Sequence, residues 1–275
     1  MFTTPFTFLK AAGGGATLLL DAYPGASMAY SVRKLRSAYA GYALKVRRSS
    51  DNAEQDIGFS GNDLDTSALT TFCSGTDGFV TTWYDQSTSG VNPVQATSGK
   101  QPKIVSSGSV ITQNGKSAVQ FDGTDDFMKT PSATTTLQMY SLHTFNGVNQ
   151  SIPIGFNTGA LDQAFGTLNL VVYLIANGTA IYGHPNTVNP GSYYDQSIWF
   201  GDYTAFTVLR NNASISFVVQ AGTPPAAAAT TEIYVGTRQL EDFEFNGKIQ
   251  EQVFYPTSSS NVDITNNINA YFSVF

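Results

Sequence analysis

Short runs in which apolar and polar residues alternate recur along the chain, the period of a half-buried β-strand. Such runs predict strands at 43–48, 79–84, 138–145, 203–210, 214–220 and 231–236. Asn-Gly dipeptides punctuate the pattern at Asn114-Gly115, Asn146-Gly147, Asn177-Gly178 and Asn246-Gly247. This pair favours the tight turn whose twist matches a right-twisted hairpin. The first, third and fourth lie in "SVITQNGKSAVQF", "LVVYLIANGTAIYG" and "DFEFNGKIQEQVFY", which read as hairpins and predict an antiparallel sheet protein.

Helical periodicity is scarce. "ASMAYSVRKLRSAY" places Met28, Val32, Leu35 and Tyr39 on one helical face. "DLDTSALTTFCSG" offers Asp63 or Asp65 as N-cap, an apolar face through Leu64, Ala68, Leu69, Phe72 and Cys73, and Gly75 as a stop. "VDITNNINAYFSVF" carries Ile264, Ile268 and Tyr271 or Phe272 at helical spacing, a helix expected to cap the sheets. The first 25 residues, interrupted by Gly13-Gly14-Gly15, read as an arm that orders against a neighbouring chain, and 26–275 as one domain. The arm has no basic segment ahead of its apolar stretch, so it reads neither as a signal peptide nor as a membrane span.

Composition narrows the chemistry. Charged residues make up 12% of the 275 positions, roughly half the usual share. Residues 1–130 carry 11 basic and 11 acidic side chains, and residues 131–275 carry 3 and 9, so the whole net charge of −6 lies in the second half. That balance excludes electrostatic binding of nucleic acid or anionic lipid. Cys73 is the single cysteine, so no intramolecular disulfide and no cysteine zinc cluster can form, and it reads as a small buried apolar residue. His143 and His184 are too few and too scattered for a metal site.

Several residues remain as candidates for chemistry. Asp85 ends the strand of "FVTTWYDQS", in which Phe79, Thr81 and Trp83 alternate with Val80, Thr82 and Tyr84; a short acid there caps the following turn, and its other reading is catalytic. The same four letters recur as Tyr194-Asp195-Gln196-Ser197 with unrelated flanks. Glu251 shares an apolar face with Ile249, Val253 and Tyr255, so it is either a catalytic carboxylate on a concave face or the partner of an arginine such as Arg47 or Arg48. Asp122, Asp125 and Asp126 surround Gly123 in "FDGTDDF", an Asp-Gly turn that offers oxygens to calcium, the one metal the sequence brings forward. Tyr193, Tyr194, Asp195, Trp199 and Tyr203 gather aromatic faces beside acid groups, which suits either a neutral sugar or a core.

Two longer blocks resemble known families. "AYSVRKLRSAYAGYALKVRRSSDNAEQDIGF" and "DLDTSALTTFCSGTDGFVTTWYDQS" resemble the catalytic domain of B-type α-L-arabinofuranosidases. The same block is similar to tailed-phage virion proteins in which it runs into a concanavalin-A-like, laminin-G-type sandwich; "KSAVQFDGTDDFM" and "FNGKIQEQVFYP" resemble the outer strands of that module. The first likeness covers about residues 28–97 and the second continues to Phe275. Together they imply an all-β antiparallel β-sandwich of jelly-roll, concanavalin-A-like type with a few short helices. The glycosidase family's sugar site is shaped by a disulfide, which this chain cannot form, and its catalytic acids find no matching flanks here. The expectation is therefore a virion structural protein without enzymatic activity, made in the host cytoplasm and carried on capsid, baseplate or fibre. It would associate with other virion proteins and with copies of itself, contact host surface glycans, and bind neither nucleic acid nor membrane. Two alternatives stand beside it: a glycoside hydrolase of α-L-arabinofuranosidase type and a free-standing carbohydrate-binding module.

Overall fold

The computed structural model describes residues 17–132, 134–136, 138–146, 151–157, 162–168, 171–176, 180–183, 195–202, 207–215, 218–221, 229–238, 241, 243–257 and 259–275. Its strands form an antiparallel β-sandwich, as the alternation predicts. The larger sheet runs, edge to edge, through Ala213–Ile215, Thr207–Arg210, Ser197–Asp202, Gln138–Phe145, Asn246–Tyr255, Val119–Asp122, Lys103–Ser106, Gly78–Trp83, Leu44–Arg48 and Glu54–Ile57. The second runs through Met128–Lys129, Ala229–Val235, Ser151–Asn157, Asp162–Leu168, Val171–Ala176, Ala180–Gly183 and Val218–Ala221. Phe156 of the second sheet meets Phe254 of the first edge-on at 6.2 Å between ring centroids, and Gln252 donates across the gap to the Pro153 carbonyl at 3.2 Å. One core spans both sheets, from Leu44, Val80 and Trp83 through Phe121 and Phe254 to Ile154, Phe156 and Val235.

The central strand, Asn246–Tyr255, is interior along nearly its whole length, because it pairs with Gln138–Phe145, Val119–Asp122 and Met28–Ser31. Its Gly247 is required where it stands: a Cβ there would lie 2.1 Å from the Thr144 carbonyl oxygen. Asn246-Gly247 is accordingly no hairpin turn but the start of this strand, opposite Asp122 and Phe121. Asn114-Gly115 does turn a hairpin, with φ of 49° and 72° between Thr112–Gln113 and Lys116–Ser117. Val171–Ala176 and Ala180–Gly183 pair as expected; the turn between them, and Gly147, lie outside the described residues.

Among the described residues, two of the three α-helices form where periodicity and caps predict. Thr66–Phe72 is capped by Asp65, whose carboxylate accepts the Ala68 N–H at 2.9 Å, and Asn261–Phe272 buries Ile264, Ile268 and Phe272. The segment around Met28 is not helical. Met28–Ser31 is a fully buried strand, because its backbone finds partners on the central strand and its apolar spacing serves an extended chain inside the core as well as a helical face. Within 17–25 a short helix, Leu19–Ala22, buries Leu19 and Leu20 in the core; residues 1–16 lie outside the described residues. Among the described residues no helix is long and apolar enough to cross a membrane.

Candidate functional site

The chain leaves the Gly78–Trp83 strand at Tyr84, and the next residues stitch this corner to the Ser27–Leu35 segment. Asp85 Oδ1 accepts the backbone N–H groups of Ala29 and Ser87 at 2.8 and 3.0 Å. Its Oδ2 accepts the hydroxyls of Ser87 and Ser89 at 2.6 and 2.8 Å and the Gly90 N–H at 2.9 Å. A carboxylate offers about four lone-pair positions, so five donors leave none for a substrate. Gln86, fully buried, completes the clamp: Oε1 accepts Leu35 N–H at 2.8 Å, and Nε2 donates to the Ser31 and Arg33 carbonyls at 3.1 and 2.9 Å. A register shift between Lys45 and Val46 turns both Val80 and Trp83 inward, so strict alternation fails on this strand.

Glu251 is equally engaged, by a partner other than the arginines the sequence brings forward. Arg33 binds it bidentately, Nε to Oε2 at 2.7 Å and Nη2 to Oε1 at 2.9 Å, while the Ser31 hydroxyl donates to Oε2 at 2.7 Å. Ser31 lies opposite Glu251 in the ladder, which brings Arg33, two residues on, within reach. Arg33 is 3% and Glu251 1% exposed, and the guanidinium lies 4.9 Å from the Tyr271 ring centroid. Arg47 instead bonds Gln101, Asn52 and the Ser98 carbonyl, and Arg48 forks onto Asp51.

The aromatic cluster falls partly outside the described residues: Tyr193, Tyr194 and Tyr203 do so. Asp195 is exposed, and its carbonyl accepts the Ser197 hydroxyl at 2.9 Å. Trp199 is 1% exposed, stacked on His143 at 6.1 Å and 9°, with the Arg210 guanidinium 5.9 Å from its ring. The ring is therefore a wall of the core, not a stacking face for a ligand. Burial, then the charge of Arg210, pushes His143 down to about 3, so it stays neutral.

The Asp122 turn meets an open pocket. Beyond the Val119–Asp122 strand, Gly123 at φ 76° reverses the chain, and Asp122 Oδ1 accepts the N–H groups of Thr124 and Asp125 at 2.8 and 3.4 Å. Asp126 turns back so that its Oδ2 accepts Asp122 N–H at 3.0 Å. One carboxylate oxygen from each of Asp122, Asp125 and Asp126 lies within 4.8 Å of the others, the one grouping among the described residues spaced to hold a metal ion. Asp122 is exposed and Asp126 is 7% exposed. Burial, reinforced by the charge of Asp122, pushes the Asp126 carboxyl up to about 7. Phe79, Gln101, Lys103 and Gln120 line the same pocket, of about 370 Å³. The sequence did not bring these four forward: they come together only because Lys103 pairs with both Gln120 and Phe79 across strands. The signal available was that Phe79, Lys103 and Gln120 are large or polar residues on strands otherwise directed at the core, while Gln101 lies just before the Lys103–Ser106 strand.

The comparisons with known proteins point one way. The family model described as "Alpha-L-arabinofuranosidase B, catalytic" matches residues 22–150. A probable α-L-arabinofuranosidase B of Aspergillus fumigatus is 29% identical over 186 residues, which covers 63% of this chain and 33% of the fungal protein. An arabinofuranosidase solved with arabinofuranosyl-α-1,2-xylobiose superposes with a TM-score of 0.61 at 19% identity, covering 94% of this chain and 65% of its own. A substituted GH54 α-L-arabinofuranosidase soaked with 4-nitrophenyl α-L-arabinofuranoside gives 0.63 at 18%, with the same coverage. The chain thus spans about a third of the fungal relative and 65% of these solved structures.

These matches overturn the expectation of a virion structural protein without enzymatic activity, since what the chain is similar to are glycoside hydrolases. The strands read as a phage-type module, "KSAVQFDGTDDFM" and "FNGKIQEQVFYP", are simply ladder partners, Val119 opposite Ile249 and Phe121 opposite Gly247. Adjacent strands of a sandwich carry architecture, and their likeness transferred a function that belongs elsewhere. Over residues 22–150 the chain is similar to the catalytic domain of α-L-arabinofuranosidase B, and nearly its whole length has the sandwich fold of arabinofuranosidases.

Proposed function

We propose that this chain is a glycoside hydrolase domain acting on α-L-arabinofuranosyl linkages. The observation that carries the reading is the family match over residues 22–150, which takes in Arg33, the Asp85–Gln86 clamp and the Asp122–Asp126 turn together. Hydrolysis of a glycoside calls for a carboxylic acid that still holds its proton near neutral pH and a second carboxylate close by. With Asp85 and Glu251 engaged in closed networks, the pair that the described surface offers is Asp126 as proton donor, pushed up to about 7, and Asp122 at the rim. Phe79 supplies an apolar face for a sugar ring, and Gln101, Lys103 and Gln120 supply polar groups for its hydroxyls.

The purified chain is assayed for release of 4-nitrophenol from 4-nitrophenyl α-L-arabinofuranoside, alongside Asp126→Asn and Asp122→Asn. The expected result is turnover by the parent and a loss of 100-fold or more, roughly the worth of one acid–base group, in each variant. No turnover by the folded parent removes the hydrolase reading; binding without turnover reduces the chain to a sugar-recognising domain. Turnover that survives both substitutions removes Asp122 and Asp126 as the acids and moves the search to Asp195 and Asp202.

A further inference from the structure

A second pocket, of about 260 Å³, opens where the C-terminal helix, the Asn114-Gly115 hairpin and the segment before the Thr66–Phe72 helix meet. Its floor is apolar, with Val32 and Leu64 at 2% and 3% exposure and the Tyr271 ring beside them. Its rim is polar. The Tyr271 hydroxyl and the Lys116 ammonium both donate to Asp63 Oδ1, the latter at 3.0 Å, and the ammonium also sits 4.1 Å from the Tyr271 ring centroid. Asp63, Thr66 and Ser117 also line this space, bringing a carboxylate and two hydroxyls to its wall. Asn114 Nδ2 donates to the Phe272 and Ser273 carbonyls at 2.8 Å each, which fastens the hairpin to the end of the helix and makes the pocket a rigid feature of the fold.

The inventory selects a ligand class. Asp63 and Lys116 cancel each other, so neither an anion nor a cation is favoured. What remains is a ring of donors and acceptors around the half-buried Tyr271 ring, the complement of a neutral polyol whose C–H face meets that ring, with Val32 and Leu64 packed beneath. The volume suits one sugar residue rather than a chain. From this we infer that the pocket is a second, non-catalytic site for a single neutral sugar residue, separate from the Asp122–Asp126 pocket. The choice of arabinose as its probe rests on the hydrolase reading, but the pocket's chemistry does not.

The test is amide chemical-shift perturbation of the ¹⁵N-labelled full chain titrated with L-arabinose and, separately, D-glucose. Saturating shifts at Gly115, Lys116, Ser117 and Tyr271 with a dissociation constant in roughly the millimolar range are expected with at least one of the two. Lys116→Met and Thr66→Val, both on the surface, should each weaken this binding by about tenfold, as the loss of one charge-assisted or well-placed hydrogen bond implies. Asp126→Asn should leave it unchanged. The inference falls if neither sugar shifts these amides, or if shifts occur there but Lys116→Met together with Thr66→Val leaves the affinity intact. Absence of 4-nitrophenol release would count against the hydrolase reading alone, because it reports on the other pocket.

Discussion

Replacing Asp126 by asparagine tests the electrostatics of the candidate site through stability alone. In the unfolded chain this carboxyl loses its proton near pH 3.8, whereas in the fold burial, and then the charge of Asp122, holds the proton until about pH 7. Between those values the folded state binds more protons than the unfolded state, so stability must fall as pH rises. Below pH 3.8 both states are protonated and the group costs nothing; above 7 the full cost is present. A span of about three pH units at 1.36 kcal/mol each sets an upper bound of about 4 kcal/mol, and relaxation of the pocket brings the expected loss to roughly 2–4 kcal/mol. Asparagine keeps an oxygen to accept the Asp122 N–H and never ionises. Urea unfolding, followed by tryptophan fluorescence from pH 4 to 8.5, should therefore show Asp126→Asn gaining on the parent through that window and holding the gain above it. A difference between the two proteins that does not change with pH refutes the reasoning. So does a variant that becomes the less stable protein at pH 8, since that would make the charged form the favoured one.

Other outcomes follow from the same geometry. Glu251→Gln leaves the Arg33 guanidinium buried beside a neutral partner and should cost about 3–5 kcal/mol in urea unfolding; Arg33→Met combined with Glu251→Leu should recover most of that loss, and failure to do so would mean the ion pair itself supplies net stability. Asp85→Asn replaces one of the two acceptor oxygens by an NH2 group, setting two or three of the five donors against another donor, and should cost roughly 2–4 kcal/mol, with any residual activity falling only in proportion to the folded fraction; a folded, fully stable and inactive variant would restore Asp85 as a catalytic group. Trp199→Ala empties a core wall between His143 and Arg210 and should cost about 3–5 kcal/mol by thermal or urea unfolding, whereas a fold of unchanged stability with lost sugar binding would return the ring to the surface.

Much of the fold is readable residue by residue. The strand at 138–145, the Asp65 cap and the Asn114-Gly115 turn are local instructions, each readable within a few residues, and each is met in the structure, although both faces of 138–145 are buried. The site was legible only in fragments. Asp122, Asp125 and Asp126 stand together in "FDGTDDF", but the pocket that Asp122 and Asp126 border needs Phe79, Gln101, Lys103 and Gln120 as well. Trp199 and Glu251 carried the right residue types for sugar chemistry and are buried in strands paired on both sides within the larger sheet.

By itself, then, the sequence determined the class of secondary structure, the Asp65 cap and the Asn114-Gly115 turn, because strand period, caps and positive-φ residues act over a few bonds. Which arginine meets Glu251, whether residues 28–31 extend or coil, and where a buried carboxyl keeps its proton were decided only by the tertiary structure. The first two depend on partners more than 200 positions away, such as the 218-residue span from Arg33 to Glu251, and the third on the burial that the assembled sheets impose on Asp126, so none of them exists before the sheets have formed.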